Sequence, residues 1–230
     1  MNRSGPLALL HTSPLHIPVF DALRDEDHQG LELRHMVDEE LLARARREGP
    51  AAVAGEVRAA LDRAVADGAR AVLCTCSTIG AVAEEAGAGI PVLRVDRPMA
   101  AAAVAAGPRV MVVATSESTL EPTVALVEEE ARTAGRSVQV RTLLVDGAWA
   151  RFEAGDTDGY VRSVAAAADS VTDADAIVLA QASMTPAQRL TTTAVPVLSS
   201  PRPGLAAGAD AVRHGQTLHG QTLHGQTLHG

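Results

Sequence analysis

Ala71-Val72-Leu73-Cys74-Thr75-Cys76-Ser77-Thr78-Ile79-Gly80 is an apolar run that ends in a thiol, two hydroxyls and a glycine, and an alanine-rich segment follows it. Four apolar residues followed by a polar cluster and a helical composition describe a buried strand that delivers its last residues to the start of a helix. Cys76 falls at that junction, where the positive end of the helix favours a thiolate relative to an ordinary thiol. Cys74 lies inside the strand and reads as structural. Both cysteines of the chain are in this stretch.

Outward from it, strands and helices alternate. Leu7–Leu10 is a candidate strand ending in His11-Thr12-Ser13, and Ile17–Leu23 can begin a helix. Residues 31–37 alternate apolar and polar side chains as a strand does, and Asp38-Glu39-Glu40 opens a helical pattern with acids at its N-terminus. Asp38 either starts that helix or touches substrate. Val57, Leu61 and Val65 mark an amphipathic helix over 53–67, with Gly68 as its stop. After the opening strand, a helix is predicted from about Ile79 to Glu85, and residues 91–96 form another strand.

The order then repeats. Strands are predicted at 110–114, 138–145 and 176–179, helices at 122–134 and 160–171, and Pro196-Val197-Leu198 closes the series. Gly5-Pro6, Thr12-Ser13, Pro18, Pro91-Val92-Leu93 and Val72-Leu73 recur as Gly107-Pro108, Thr115-Ser116, Pro122, Pro196-Val197-Leu198 and Val178-Leu179. The last match sets Ala182 opposite Cys76. Such a repeat predicts an α/β fold of two pseudosymmetric lobes, each a parallel sheet flanked by helices, spanning 6–97 and 98–202. A helix over 203–213 is expected to return to the first lobe. Ligands of such sheets sit beyond the carboxyl ends of the strands. The polar clusters at Thr12-Ser13, Cys76-Ser77-Thr78, Thr115-Ser116 and Ser183 all fall at those ends, so the site is expected in the cleft between the lobes.

Composition narrows the function. The chain of 230 residues is 47% hydrophobic but 2% aromatic, so its core is built from Ala, Val and Leu. A net charge of −8 argues against nucleic acid as partner, while a small carboxylate substrate remains compatible. No apolar run is long enough to span a bilayer, none resembles a signal peptide, and cysteines two residues apart do not favour a disulfide. A cytoplasmic location without membrane contact is the expectation. Gly87-Ala88-Gly89 lacks the spacing of a dinucleotide loop, and no metal-ligand spacing is present. Trp149 and Phe152 read as small core patches. The tail repeats Gln-Thr-Leu-His-Gly from Gln216 to Gly230, and with a glycine every fifth residue it is expected to be disordered from 214 onward, with adventitious metal binding by its histidines as the other reading.

Cys76-Ser77-Thr78 resembles the strand-end cysteine motif of the aspartate/glutamate racemase superfamily. His11–Ser13, Val37–Glu39, Thr115–Leu120 and Leu179–Met184 resemble its hydantoin-racemase-like branch, and the resemblance covers roughly residues 6–213. It implies an isomerase that needs no cofactor. One thiol removes the proton on the carbon α to a carboxylate or hydantoin-like carbonyl and a second reprotonates the opposite face; homodimers are common among such enzymes. Cys76 takes the acid–base role here, and Thr12, Ser13, Ser77, Thr78, Thr115, Ser116 and Ser183 supply donors to the carboxylate. His11 is a candidate donor or second acid, and Gln181 a candidate for orienting substrate. The chain departs from the two-thiol pattern because the second cysteine position falls on Ala182 and no cysteine besides Cys74 and Cys76 exists. A decarboxylase, lyase or cis–trans isomerase acting on a small dicarboxylate with one thiol is therefore an alternative, and a non-catalytic carboxylate binder is a further one.

Overall fold

A computed structural model describes residues 5–224, with side chains described through residue 214. In the first half, β1 (Leu7–His11), α1 (Ile17–Asp27), β2 (Leu33–Val37), α2 (Glu39–Glu48), α3 (Ala54–Ala66), β3 (Ala71–Cys74), α4 (Ser77–Ala86) and β4 (Val92–Arg94) follow in order. The second half runs α5 (Arg97–Ala106), β5 (Arg109–Ala114), α6 (Leu120–Thr133), β6 (Gln139–Leu144), α7 (Ala148–Glu153), α8 (Thr157–Asp169), β7 (Ala176–Leu179) and β8 (Val197–Leu198). The helix α9 (Pro201–His224) closes the described chain.

Both sheets are parallel, in the orders β2-β1-β3-β4 and β6-β5-β7-β8, so the two halves share one topology as the repeat predicts. The inner strands β1, β3, β5 and β7 are largely apolar on both sides because helices cover both faces, whereas the edge strands β2 and β6 carry Arg34, His35, Gln139 and Arg141. In the first lobe, Ala8, Leu10, Val72 and Cys74 pack on α2, α3 and α4, while Leu7, Leu9, Ala71 and Leu73 face Phe20 of α1 and Leu205 and Val212 of α9. The second sheet is covered in the same way, by α5 and α6 on one face and by α7 and α8 on the other. Among the described residues, no helix is long and apolar enough to cross a membrane.

Several sequence expectations are corrected. The buried face of α3 is Val57, Ala60, Leu61 and Ala64; Val65 is 37% exposed, because in an alanine-rich helix the small residues, not each valine, make the close contact. Asp38 does start a helix, its carboxylate accepting from Leu41 N–H at 3.4 Å. The repeated tail is helical as far as His224, and only the last six residues, His229 among them, lie outside the described residues. The packed start of α9 supplies the costly nucleus, and adding residues to a formed helix needs little more, even with glycines. Gly204 lets α9 approach the segment just after β4: a Cβ there would clash with the Val95 carbonyl oxygen.

The pairing register also corrects the repeat alignment. Val72 pairs with Val92 in the first lobe, and Ile177 pairs with Val197 in the second. Likewise Thr75 N–H donates to Leu10 and Ala180 N–H donates to Val113, each at 3.0 Å. Counting on from those pairs, the counterpart of Cys76 is Gln181, not Ala182. Cys76 (φ −109°, ψ 116°) and Gln181 (φ −126°, ψ 140°) share an extended conformation and the same position, immediately before a helical turn.

Candidate active site

β3 ends at Cys74, and two residues later Cys76 occupies the N-cap of α4. Among the described residues no side chain caps that helix, so the N–H groups of its first turn are open to a ligand. Cys76 is 8% exposed and stands on the wall of a cavity of about 250 Å³ whose lining comes from both lobes. Cys74 is fully buried, and burial, with the neighbouring Cys76 adding to it, pushes its thiol well above the ordinary range, which favours the protonated form.

Seven of the expected residues line this cavity: Thr12, Ser13, Cys76, Ser77, Thr78, Gln181 and Ser183. The hydroxyls of Ser77 and Thr78 also tie the lobes together. Ser77 Oγ donates to the Ala180 carbonyl at 3.0 Å, and Thr78 Oγ1 donates to that of Ser118 at 3.4 Å. Behind α4, the Arg94 guanidinium and Asp96 carboxylate form a fully buried fork (2.7 and 2.9 Å), and Arg94 Nη2 reaches the Ser77 carbonyl at 3.5 Å.

Three expected residues are not on the wall. His11 is fully buried, since it shares a strand face with Leu7 and Leu9 beneath α1, 5.6 Å from Phe20. Burial and the nearby His35 and His16 rings lower its pKa to about 3, so it is neutral. Thr115 is occupied by Gln181, whose Oε1 accepts from Thr115 N–H at 2.7 Å and from Thr115 Oγ1–H at 2.9 Å. Ser116 bonds Ser118 Oγ at 3.0 Å. Gln181 is thereby fixed, and an amide can neither give nor take a proton at neutral pH.

Nothing in the sequence singles out Thr75, His16 or Arg46 for the wall; Trp149 and Phe152 also line it, and Phe152 packs on the core beside Tyr160 as expected. The Arg46 guanidinium of α2 sits over the Trp149 ring of α7 at 5.0 Å and donates from Nε to Ser118 Oγ at 3.3 Å, placing a cation between the lobes. Among the described residues His16 Nδ1 is buried without a hydrogen-bond partner, and burial lowers this ring's pKa too. A larger cavity of about 760 Å³ adjoins the first, sharing His16, Phe152, Ala182 and Ser183 and continuing past Val19, Leu23 and Met99.

The low pKa of His11 has a consequence for stability. An unfolded imidazole titrates near 6.5, so between that pH and about 3 the unfolded chain binds more protons at this residue. Its contribution is complete above pH 6.5 and is lost as the pH falls. Urea unfolding at pH 7 and pH 5 is expected to give a stability about 2 kcal/mol lower at pH 5 from this residue. A His11→Gln chain should show a flatter pH dependence.

Comparison with known proteins agrees with this architecture. No curated protein sequence matches the chain. Among solved structures, it is similar to glutamate racemase from Bacillus anthracis (16% identity, TM-score 0.68, 91% of this chain and 82% of that one). It is also similar to aspartate racemase from Picrophilus torridus (14%, 0.67, 92% and 94%) and to arylmalonate decarboxylase (19%, 0.56, 90% and 92%). The family model for Asp/Glu/Hydantoin racemase matches residues 18–207. The chain therefore belongs to the Asp/Glu/Hydantoin racemase family, a family of isomerases.

Proposed function

We propose that this protein is a cofactor-independent enzyme that moves a proton at the carbon α to the carboxylate, or hydantoin-like carbonyl, of a small substrate, with Cys76 as the acid–base thiol. The observation that carries this reading is the position of Cys76, at the uncapped N-terminus of α4 and on the wall of a cavity between two equivalent lobes. Removing an α-proton, or a carboxyl group, leaves negative charge on the remaining carbonyl oxygens. The free N–H groups of Ser77 and Thr78, the hydroxyls of Thr12 and Ser13 and the guanidinium of Arg46 are suited to hold that charge. The adjoining apolar cavity offers room for a substituent on the same carbon.

Gln181 favours a second reading within this chemistry. With an amide where the mirrored thiol would stand, only one face of the carbon meets a thiol. A reaction that needs one proton delivery, such as protonation after loss of carbon dioxide, suits that arrangement better than symmetrical racemisation. Incubation of amino acids, hydantoins and substituted malonates in deuterium oxide separates the two readings. Deuterium at the α-carbon with all carbons retained supports exchange or isomerisation, and release of carbon dioxide supports decarboxylation. A full panel with neither outcome would leave only a carboxylate binder and refute the enzyme reading.

A further inference from the structure

Thr75 lines the cavity next in sequence to Cys76, and its hydroxyl bonds two residues that do not line it, His11 and Leu10. Thr75 Oγ1 is 2.8 Å from His11 Nδ1, His11 Nε2 is 2.8 Å from His35 Nδ1, and His35 Nε2 is 3.3 Å from Asp21 Oδ1. The three residues behind Thr75 do not line the cavity, and the Asp21 side chain is 39% exposed. We propose that Thr75, His11, His35 and Asp21 form a proton relay between the cavity and the outer edge of the first lobe, a second proton port beside Cys76. His11, His35 and Asp21 act only through Thr75, as positioning residues.

The direction of each hydrogen follows from the chemistry of the ends. A carboxylate only accepts, so His35 Nε2 carries the hydrogen that Asp21 receives. A neutral His35 then accepts at Nδ1 from His11 Nε2–H, and His11 accepts at Nδ1 from Thr75 Oγ1–H. The Leu10 carbonyl, 3.2 Å from Thr75 Oγ1, already takes Thr75 N–H and is the alternative acceptor when the hydroxyl turns.

A proton enters without breaking any bond except O–H and N–H. Thr75 Oγ1 takes a proton from a donor in the cavity and passes its own to His11 Nδ1, while His11 passes its Nε2 hydrogen to His35 Nδ1. The positive charge arrives on His35, beside the Asp21 carboxylate, and His11 only exchanges one tautomer for the other. The surroundings suit that ending. His11 faces Phe20 and His16 (ring centres 6.2 Å apart) and is fully buried. His35 faces Asp21, which is 3.3 Å from Arg24 Nη2; the turn after β3 contributes Thr75 and no charge.

As a proton port this rests on the acid–base reading of the cavity, but the tautomer of His11 can be read without substrate. Long-range proton–nitrogen NMR on histidine-labelled full-length protein should be followed from about pH 5 to pH 8, the range over which imidazoles change charge. The relay predicts neutral His11 throughout, hydrogenated at Nε2 at the alkaline end and at Nδ1 at the acid end. His35→Gln should abolish the switch, and Asp21→Asn, a surface change that spares the fold, should move it to lower pH. One tautomer at every pH, or a switch that survives His35→Gln, overturns the relay. With any substrate the wild type turns over, His35→Gln should lower kcat about tenfold with KM unchanged. Unchanged kcat there refutes the port alone, whereas unchanged turnover in Cys76→Ser refutes the cavity reading and leaves the tautomer result standing.

Discussion

Cys76→Ser is expected to lower kcat by about a thousandfold or more on any substrate the wild type turns over, with the thermal unfolding midpoint nearly unchanged. The substitution nearly keeps the size of a residue that caps α4 without a side-chain bond, and although Cys76 borders the apolar cluster its new hydroxyl can face the cavity wall, so little stability is lost. What it removes is the thiol that serves as acid and base in the proposed reaction, and acid–base groups of this kind contribute about 10²- to 10⁴-fold. Cys74→Ser serves as the contrast. It places a hydroxyl in the apolar cluster with Leu10, Val72 and Ile79, so it should cost stability while the folded fraction keeps its kcat. Parallel activity and melting measurements on the two variants separate the reactive thiol from the structural one.

Asp96→Ala is expected to destabilise the protein by about 3–5 kcal/mol, the cost of leaving a buried charge without its partner. Arg94 and Asp96 have almost no exposure, and neither has room to swing to solvent: a Cβ on Gly80 would already lie 3.0 Å from Arg94 Nε. In a chain of this size the midpoint should fall by roughly 10 °C. Activity should fall further than folding alone explains, since Arg94 also reaches the Ser77 carbonyl in the first turn of α4. The double substitution Arg94→Met with Asp96→Leu should recover most of the stability, because it removes both charges and refills the space. Equal losses in the single and double variants would mean that packing, not charge, holds this corner.

The fold was legible because a parallel sheet covered on both faces leaves a plain trace: short apolar runs, each ending in polar residues, separated by helical segments. Two such series in one order implied two lobes, and the register bears this out. α5 was harder to read, because Ala100–Ala103 beside Val104 gives almost no contrast between faces. The position opposite Cys76 was misread by one residue. Val72-Leu73 and Val178-Leu179 match as words, but the backbone pairs Val72 with Val92 and Ile177 with Val197. In apolar strands of near-identical residues only the hydrogen bonds fix the frame.

The lining of the candidate site was legible where it depends on strand ends and illegible where it depends on faces. Cys76, Ser77 and Thr78 follow directly from a strand running into a helix. His11 could have been placed correctly by alternation, since Leu7, Leu9 and His11 must share a face and α1 covers it. Arg46 and Trp149 carry no local signal, because each reaches the cavity only when the other lobe is beside it. A single tryptophan in a chain with 2% aromatic residues was the one available hint.

The central claim is that a single thiol serves one face of the substrate carbon while Gln181 occupies the mirrored position. The most direct test is the configuration of the product formed in deuterium oxide by the wild type and by Gln181→Cys. The account predicts deuterium in one enantiomer from the wild type and in both from Gln181→Cys, where a second thiol meets the opposite face. Equal labelling of both enantiomers by the wild type would contradict it.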